Sequence, residues 1–452
     1  MRLNHDKNFM AHILVIGAGR SADALIDYLA KAVQTYEWEM TVADVSTELL
    51  NSKLAAYPHV KSLVFDIFDQ QQANQVIAKV DLVVSLLPAT LHGKVAKYCL
   101  ENKKHLLTAS YLSDEIKAIA DEVAQTDLIF LNEMGLDPGI DHMSAMQIID
   151  DIKKQGGKIT SFKSYTGGLV APEYDTNPWK YKFTWIPRNV VLAGAGGTAQ
   201  YIEKGLYKYI PYHQLFHRID SIAIDGYGQF EAYANRDSLT YRGAYGLEDI
   251  PTMLRGTLRK EDFCRAWAIL VDLGLTMDDF EVDTTDMTYR QFFDSFLSEM
   301  QPGTTLEKLT YFTGKPMNDP LLQKIVWTGL LDDTPIPIKG SPAAILQHLL
   351  EQKWKLADED KDMIVMQHQF EYSIKGERQM IHSDLVVQGD DQHTAMAKTV
   401  GLPLAIAAKL ILLKKIQVRG VHIPTHQDIY EPVMEELLSL GIVFREKMSQ
   451  IS

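Results

Sequence analysis

The stretch that decides the fold is HILVIGAGRSADALIDYLAKAV, residues 12–33. It reads as a buried strand, a glycine-rich turn, and a segment whose apolar residues recur at the spacing of a helix. In the pattern G-x-G-x-x-A, Gly17 makes the turn, Gly19 lets the backbone approach a pyrophosphate, and Ala22 lets helix and strand pack closely. The loop residues expected to contact a dinucleotide are Gly17, Ala18, Gly19, Arg20, Ser21 and Ala22.

A glycine-rich turn is common in α/β proteins, so its meaning depends on the next strand. The run EMTVADVS (39–46) ends in Asp44, at the distance where an acidic side chain accepts hydrogen bonds from the adenosine ribose hydroxyls. Asp44 would repel the 2′-phosphate of NADP, and the following residues include no arginine to bind one. We therefore predict NAD as the coenzyme, with NADP less favoured.

Strand-like runs alternate with helical segments through the first third of the chain. The further runs are SLVFDIFD (62–69), DLVVSLLPA (81–89), HLLTASY (105–111) and LIFLNEMG (128–135). This alternation predicts a parallel, doubly wound sheet of the Rossmann type. Ligands of such sheets bind beyond the carboxyl ends of the strands. The residues at those ends are Leu87, Pro88, Ser110, Tyr111 and Asp137, and their alternative role is that of ordinary turn residues.

The texture of the sequence changes at about residue 158. Aromatic and β-branched residues alternate with polar ones in 158–191, which predicts a second domain with an antiparallel or mixed sheet. Residues 261–352 read mostly helical, as an insertion, and the runs 361–374 and 380–390 resemble a hairpin that rejoins this domain.

A last apolar segment, 394–413, predicts a buried helix that is broken at Gly401 and Pro403. We expect it to pack against the first domain.

An arginine-rich stretch in the second domain suggests how an anionic substrate is bound. Residues 231–263 contain Arg236, Arg242, Arg255 and Arg259. Guanidinium groups bind carboxylates in bidentate fashion. The alternative is a solvated charged surface, where most arginines lie.

The stretch NEMGLDPGIDH (132–142) groups two aspartates and a histidine around a turn. A metal would need further ligands that the sequence does not place here, so we predict no metal site. Asp141 and His142 are expected to begin the next helix, one at its cap and one in its first turn.

Composition limits the class of protein. The chain has 452 residues, 46% of them hydrophobic, and a formal net charge of −14, which argues against a nucleic-acid partner. Its two cysteines, Cys99 and Cys264, form neither a disulfide framework nor a metal-ligand pattern. The first residues, MRLNHDKNFMA, lack the apolar core of a signal peptide, and we find no apolar run long enough to cross a bilayer. We expect a cytoplasmic enzyme without a membrane partner.

Taken together, these segments resemble the saccharopine dehydrogenase (L-glutamate-forming) family, which includes the dehydrogenase half of aminoadipic semialdehyde synthase. The resemblance runs from about residue 12 to 446. It rests on the motifs SLLPATLHGKVAKYC, LLTASYLS, NEMGLDPGIDHMSAM, SYTGGLVAPE, NPWKYKFTW, NRDSLTYR, LRGTLR, KDMIVM and AMAKTVGLP.

The resemblance implies a site. The residues expected to face the coenzyme are Ala18, Asp44, Leu87, Ala109 and Asp137. The residues expected to bind saccharopine are Ser110, Tyr111, Arg236, Thr257, Leu258 and Arg259. Asp137 and Tyr111 are the candidates for catalytic proton transfer, although a water molecule would also serve.

The resemblance also implies an organisation. It places a Rossmann domain at 12–135, a substrate-binding and dimerisation domain at 136–393, and C-terminal helical segments at 394–446 that pack back on the Rossmann domain. A homodimer is expected.

The implied reaction is oxidation of the secondary amine of saccharopine, with hydride passing to the coenzyme. Hydrolysis of the imine then gives L-glutamate and α-aminoadipate semialdehyde. The sequence departs from the family pattern at Ala89, Thr166 and Val170, which weakens the assignment of the substrate. The alternatives are a carboxynorspermidine-type dehydrogenase of polyamine synthesis and a non-catalytic NAD-binding module.

Overall fold

The computed structural model describes residues 10–300 and 302–451. The chain divides into two compact units: unit 1 contains residues up to 155 and 389–443, and unit 2 contains residues 156–388 and those from 444 onward. Residues 1–9, which include most of the segment used to judge a signal peptide, lie outside the described residues.

The first part of unit 1 alternates strands and helices. Its elements are β1 (His12–Ile16), α1 (Asp23–Tyr36), β2 (Glu39–Asp44), α2 (Thr47–Leu54), β3 (Lys61–Val64), α3 (Gln70–Ile77), β4 (Leu82–Ser85), α4 (His92–Glu101), β5 (His105–Thr108), α5 (Asp114–Lys117), α6 (Ala120–Ala124), β6 (Ile129–Leu131) and α7 (Ile140–Lys154).

Unit 2 contains long strands and a group of helices. Its elements before residue 389 are β7 (Lys158–Val170), α8 (Pro187–Val191), β8 (Ala199–Glu203), β9 (Leu206–Ile210), β10 (Ile219–Ile224), β11 (Gly228–Ala234), β12 (Thr252–Lys260), α9 (Phe263–Asp272), α10 (Tyr289–Asp294), α11 (Thr305–Thr313), α12 (Pro320–Trp327), α13 (Pro342–Lys353), β13 (Asp362–Ile374) and β14 (Glu377–Gln388).

The chain then returns to unit 1 before a final strand of unit 2. The last elements are α14 (Ala395–Leu412), β15 (Gly420–His422), α15 (Gln427–Ser439) and β16 (Phe444–Gln450).

The sheet of unit 1 is parallel and doubly wound, as predicted. Its seven strands lie in the order β15-β6-β5-β4-β1-β2-β3, and every pairing is parallel. The order reverses between β1 and β4, which is the place where open sheets of this kind bind ligands.

The sheet of unit 2 is mixed, also as predicted. Seven of its nine strands lie in the order β10-β11-β12-β7-β13-β14-β16, and β8 joins β12 to β9. Among the strands that the structure describes in this sheet, β12 and β7 form the one parallel pair. The 13-residue strands β7 and β13 lie at its centre, and the helices between 263 and 353 confirm the predicted helical insertion.

Unit 1 extends through residue 155, because α7 packs against α15 within it. The domain bounds of 12–135, 136–393 and 394–446 stay a prediction. Residues 389–393 also belong to unit 1, whereas 444–446 begin β16, which pairs with β14 in unit 2.

The predicted break in the last apolar helix is wrong. The helix α14 continues from Ala395 to Leu412 through Gly401 and Pro403. A Cβ at Gly401 would lie 2.9 Å from the backbone nitrogen of Leu25 in α1, so this glycine allows close packing of two helices. Burial in the core outweighs the hydrogen bond lost at Pro403.

The expectation that no apolar run is long enough to cross a bilayer is wrong for α14. Over 18 residues its mean hydropathy is 1.6, so α14 is long and apolar enough to cross a membrane by length and composition. However, 72% of it is buried inside the protein, the pattern of a core helix.

Candidate active site

The predicted dinucleotide loop lies where the strand order of unit 1 reverses. The backbone N–H of Gly17 donates to the carbonyl of Ala43 in β2 at 2.8 Å. Gly17 has a φ of +102°, and a Cβ there would lie 3.0 Å from the carbonyl oxygen of Leu86, which follows β4. Glycine is therefore required both by the backbone angle and by the close approach of the β4 loop.

Asp44 is hydrogen-bonded to this loop. Its carboxylate accepts the N–H of Ala18 at 2.8 Å through Oδ2 and the N–H of Ser46 at 2.9 Å through Oδ1. Two backbone donors hold the carboxylate in one orientation at the end of β2. The next side chain, Val45, is 69% exposed, so the surface beside Asp44 offers no cation from this position.

The outer side of the loop suits a pyrophosphate. Gly19 and Arg20 are exposed, Ser21 is half-buried and Ala22 is buried. A Cβ at Gly19 would meet no protein atom within 4 Å. The space beside this glycine is therefore open for a ligand to approach the backbone. A 3-10 turn, Arg20–Ala22, leads into α1, and its N-cap Gly19 has no side-chain hydrogen bond, which suits the start of this helical segment to an anion. The residues present therefore fit a dinucleotide.

The two predicted residues after β4 differ in their surroundings. Leu87 is half-buried and packs against the core between the sheet and its helices. Pro88 is exposed and precedes a short 3-10 helix, Ala89–Leu91. Leu86, which the sequence did not single out, makes the close contact with the glycine loop.

The loops after β5 and β6 lie side by side. The carbonyl of Thr108 accepts the N–H of Met134 at 3.1 Å, and the carbonyl of Ser110 accepts that of Glu133 at 3.1 Å. A Cβ at Gly135 would lie 3.2 Å from the Cβ of Ala109. Ala109, Ser110 and the LDPG turn are therefore brought together at the carboxyl edge of the sheet.

Tyr111 and Asp137 meet across these two loops. The hydroxyl of Tyr111 lies 3.5 Å from Oδ1 of Asp137, in hydrogen-bonding geometry. Tyr111 is 52% exposed and Asp137 is half-buried. The structure thus pairs the two residues that the sequence proposed for proton transfer.

The rest of NEMGLDPGIDH supports this turn from below. Glu133 accepts the N–H of Leu112 at 2.9 Å through Oε1, and its Oε2 lies 2.9 Å from Nε2 of His142. The side chain of Asp141 accepts the N–H of Gly139 at 2.6 Å. Glu133, Asp141 and His142 are all buried, so their contacts fix the turn that carries Asp137.

One expectation for this stretch was wrong. The N-cap position of α7 is occupied by Gly139, and Asp141 and His142 both lie in the first turn. Gly139 has a φ of +148°, and a Cβ there would lie 2.1 Å from the carbonyl oxygen of Gly135. Only glycine fits, so Asp141 acts on the cap from inside the helix.

Sequence reasoning missed His92, the first residue of α4. Its Nδ1 lies 3.0 Å from Oγ of Ser85, and its Nε2 lies 2.8 Å from Oγ of Ser110 and 3.0 Å from Oγ1 of Thr108. Burial lowers the pKa of His92 to about 4. The signal was present in the motif SLLPATLHGK, but the position of its histidine relative to LLTASY depends on the fold.

In unit 2, Arg236 and Thr257 lie at neighbouring positions. The hydroxyl of Thr257 on β12 donates to Oδ1 of Asn235 at 2.7 Å. Arg236 follows directly and is exposed, and it forms no ion pair among the described residues. Hydrogen bonds from the backbone of Gln200 and to its carbonyl hold this loop in place.

Arg259 is buried in an aromatic cage. Its guanidinium carbon lies 5.2 Å from the ring centre of Tyr181, 5.8 Å from Tyr233 and 5.4 Å from Phe263. The side chain is 6% exposed, its Nη1 donates to the carbonyl of Leu258 at 2.9 Å, and its Nε has no hydrogen-bond partner in the described part of the chain. Among the described residues, no carboxylate forms an ion pair with Arg259.

The other predicted residues of this block are not gathered around Arg259. Leu258 is fully buried in the core, and its carbonyl accepts a hydrogen bond from Arg259. Arg255 is buried over the ring of Tyr241 at 4.7 Å. Arg242 is half-buried and donates to the hydroxyl of Tyr207 at 3.2 Å. Arg242, Arg255 and Arg259 therefore contact different side chains and do not form a single cluster.

Within 10–300 and 302–451, no three histidine, cysteine, aspartate or glutamate side chains lie together as a metal site would require.

Comparison with known proteins identifies the family. The family model named Saccharopine dehydrogenase NADP binding domain matches residues 13–131, and Saccharopine dehydrogenase C-terminal domain matches residues 135–442. The chain belongs to the saccharopine dehydrogenase family. It is 32% identical over 447 residues to saccharopine dehydrogenase [NADP(+), L-glutamate-forming] of Saccharomyces cerevisiae, covering 96% of this chain and 99% of that relative.

Two further comparisons agree with this membership. Mitochondrial alpha-aminoadipic semialdehyde synthase of Rattus norvegicus is 34% identical over 444 residues, which are 96% of this chain and 47% of that protein. The solved apo structure of saccharopine dehydrogenase (L-Glu forming) from Saccharomyces cerevisiae has a TM-score of 0.89 at 31% identity and covers 97% of this chain and 100% of its own. A homospermidine synthase from Legionella pneumophila, at 9% identity and a TM-score of 0.57, shares the fold.

Proposed function

We propose that this protein oxidises saccharopine with NAD and releases L-glutamate and α-aminoadipate semialdehyde. The observation that carries the proposal is the meeting of Tyr111 and Asp137 at the edge of the sheet that holds the dinucleotide loop. Family membership over nearly the whole chain supports the same substrate.

The chemistry can be written in balanced steps. When bound, the nicotinamide ring accepts a hydride. Of the two carbons bonded to the secondary amine of saccharopine, the one that becomes the aldehyde loses that hydride. The nitrogen loses its proton, so a C=N bond forms. Water then adds to the C=N bond, and the C–N bond breaks to release glutamate and the aldehyde.

Residues of unit 1 can handle the proton. The carboxylate of Asp137 accepts protons, and the hydroxyl of Tyr111 within 3.5 Å holds it in place or passes a proton to it. Ser110 precedes Tyr111 and presents a half-buried hydroxyl at the same edge. Either Asp137 or Tyr111 can therefore receive the amine proton, directly or through one water molecule.

Residues of unit 2 are suited to carboxylates, of which saccharopine has three. Arg236 is exposed and unpaired among the described residues, and Arg259 is a buried cation without a carboxylate there. A buried charge is costly unless it is paired. A substrate carboxylate would supply the missing partner.

The choice of NAD rests on Asp44. Its carboxylate is held by two backbone N–H groups, so it cannot easily turn away from a 2′-phosphate. The yeast relative is named for NADP(+), and we propose that this chain differs from it in coenzyme.

We also expect a homodimer in the cytoplasm. Light scattering would test the oligomeric state, and cell fractionation would test the location.

The test is direct. The purified protein is incubated with saccharopine and either NAD or NADP at pH of about 9–10, where a secondary amine begins to lose its proton, and products are identified by mass spectrometry. We expect reduced NAD, glutamate and the semialdehyde in equal amounts. Turnover of carboxynorspermidine but not saccharopine would support the polyamine alternative, and NAD binding without turnover of either would support a non-catalytic module.

A further inference from the structure

The buried imidazole of His92 connects three neighbouring elements of unit 1. Ser85 is the last residue of β4, Thr108 is the last residue of β5, and Ser110 lies in the loop after β5. Hydroxyl oxygens of all three lie 2.8–3.0 Å from a ring nitrogen of His92. Both nitrogens of the ring are therefore used.

The network runs from the core to the surface. Ser85, Thr108 and His92 are 0%, 1% and 2% exposed, whereas Ser110 is half-buried. Ser110 is thus the member that a ligand can reach. Among the described residues, its side-chain hydroxyl has no hydrogen-bond partner other than His92.

We propose that His92 is a positioning residue for saccharopine: its Nε2 fixes the rotamer of the Ser110 hydroxyl so that this hydroxyl, and the adjoining Tyr111, face the substrate. The inference rests on the proposed function. Without His92 the Ser110 hydroxyl would rotate freely, and each substrate-bound molecule would have to order it again.

The surroundings of His92 make its ring a weak proton acceptor. Its hydrogen-bond partners are neutral hydroxyls, and burial holds its pKa near 4. The ring is therefore uncharged at the alkaline pH where an amine is oxidised. An uncharged ring with two different nitrogens sets the direction of hydrogen bonds, which is a positioning task.

The alternative is a core histidine whose hydroxyl partners only satisfy its polar atoms. Two amide substitutions separate the two roles. In His92→Gln the amide can reach the position of Nε2 and contact Ser110, whereas in His92→Asn it reaches only the position of Nδ1 and contacts Ser85.

The experiment is a double-mutant cycle on the full chain. His92→Asn and His92→Gln are each made in the wild-type protein and in Ser110→Ala, and KM for saccharopine, kcat, Kd for NAD and Tm are measured. Because one hydrogen bond to the substrate site is lost, we expect His92→Asn to raise KM by about 3- to 10-fold in the wild-type background. In Ser110→Ala it should change KM less than about twofold.

The controls fix the interpretation. His92→Gln should keep KM within about threefold of wild type, and Kd for NAD should be the same in every variant. Equal KM effects of Asn in both backgrounds, or equal damage by Asn and Gln, would overturn the inference. Wild-type protein without saccharopine turnover would overturn the proposed function first, and this inference with it.

A second measurement guards against a variant that does not fold. In the wild-type protein the ring nitrogens of His92 are followed by NMR, with His92→Gln used for assignment, while saccharopine is added to saturation. We expect the Nε2 signal to shift more than the Nδ1 signal. An unchanged Nε2 signal at saturation would contradict the inference.

Discussion

The carboxylate of Asp44 accepts the backbone N–H of Ala18 at 2.8 Å. The residue that we propose to select NAD over NADP is thus bonded to the loop that we predict to bind the pyrophosphate. In the proposed binding mode, Asp44 both shapes the loop and holds a negative charge close to the 2′-position of the adenosine ribose. This arrangement gives the first prediction.

Wild-type protein should have a higher kcat/KM with NAD than with NADP. Asp44→Asn should narrow the ratio by about tenfold or more, since it removes the repulsion while one side-chain oxygen can still accept from Ala18. Adding Val45→Arg should raise the use of NADP further. Steady-state kinetics with both coenzymes provide the check, and equal or better use of NADP by the wild type would refute the role of Asp44.

Substrate capture is tested at Arg236. Arg236→Met should weaken the use of saccharopine by about 1.5–3 kcal/mol, or roughly 10- to 150-fold in kcat/KM, the scale of one hydrogen bond to a charged group. Arg242→Met is the matched control, since Arg242 already contacts Tyr207 and should matter little. Calorimetry should give the same Kd for NAD in all three proteins. A loss of NAD binding in Arg236→Met would show that the residue has another role.

The pairing of Tyr111 with Asp137 predicts coupled effects on turnover. Asp137→Asn keeps the shape of the turn and removes the charge, so kcat should fall by about 10²-fold or more while Tm stays nearly unchanged. Tyr111→Phe should lower kcat less, and its effect should shrink in the Asp137→Asn background. Stopped-flow measurements of nicotinamide reduction separate the chemical step from product release. Unchanged kcat in Asp137→Asn would mean that Asp137 only shapes the turn.

Burial of His92 predicts how stability depends on pH. The pKa of this histidine falls from an ordinary 6.5 to about 4 on folding, so the unfolded chain binds more protons between these values. The contribution of uncharged His92 to the free energy of unfolding is fully present above pH 6.5 and is lost as the pH falls towards 4. The loss amounts to at most about 3 kcal/mol. Because His12 and His105 are shifted in the same direction, the check is the difference between wild type and His92→Gln in urea unfolding at several pH values. Parallel curves would contradict the prediction.

The parts of the fold that follow from local pattern could be predicted. The strand, turn and helix of residues 12–33, the parallel sheet and the mixed sheet are confirmed, because burial patterns and turn residues act within a few positions. The continuity of α14 could not be predicted, since Gly401 meets Leu25 only in the folded chain. The same applies to residues 136–155, whose place in unit 1 depends on packing between α7 and α15.

The candidate site divides in the same way. The end of the second strand indicated Asp44, and the motifs of the resemblance indicated Tyr111 and Asp137, but the partners of these residues depend on loops that are distant in sequence. His92 and Ser85 lie in the motif SLLPATLHGK, whereas Thr108 and Ser110 lie in LLTASY. The fold brings His92 to Ser110, which is 18 residues further along the chain. Thr166, one of the departures from the family pattern, pairs with β13 and keeps a buried hydroxyl without a hydrogen-bond partner among the described residues, a cost that no local pattern indicates.

The central claim is that the bond oxidised is the one that yields glutamate, and isotope transfer tests it most directly. Saccharopine is prepared with deuterium on the carbon that becomes the aldehyde, and separately with deuterium on the α-carbon of the glutamate part. Each substrate is incubated with the protein and NAD, and the mass of the reduced coenzyme is measured by mass spectrometry. Deuterium should reach the nicotinamide from the first substrate and stay in the released glutamate from the second. Transfer from the glutamate α-carbon, or from neither position, would contradict the account.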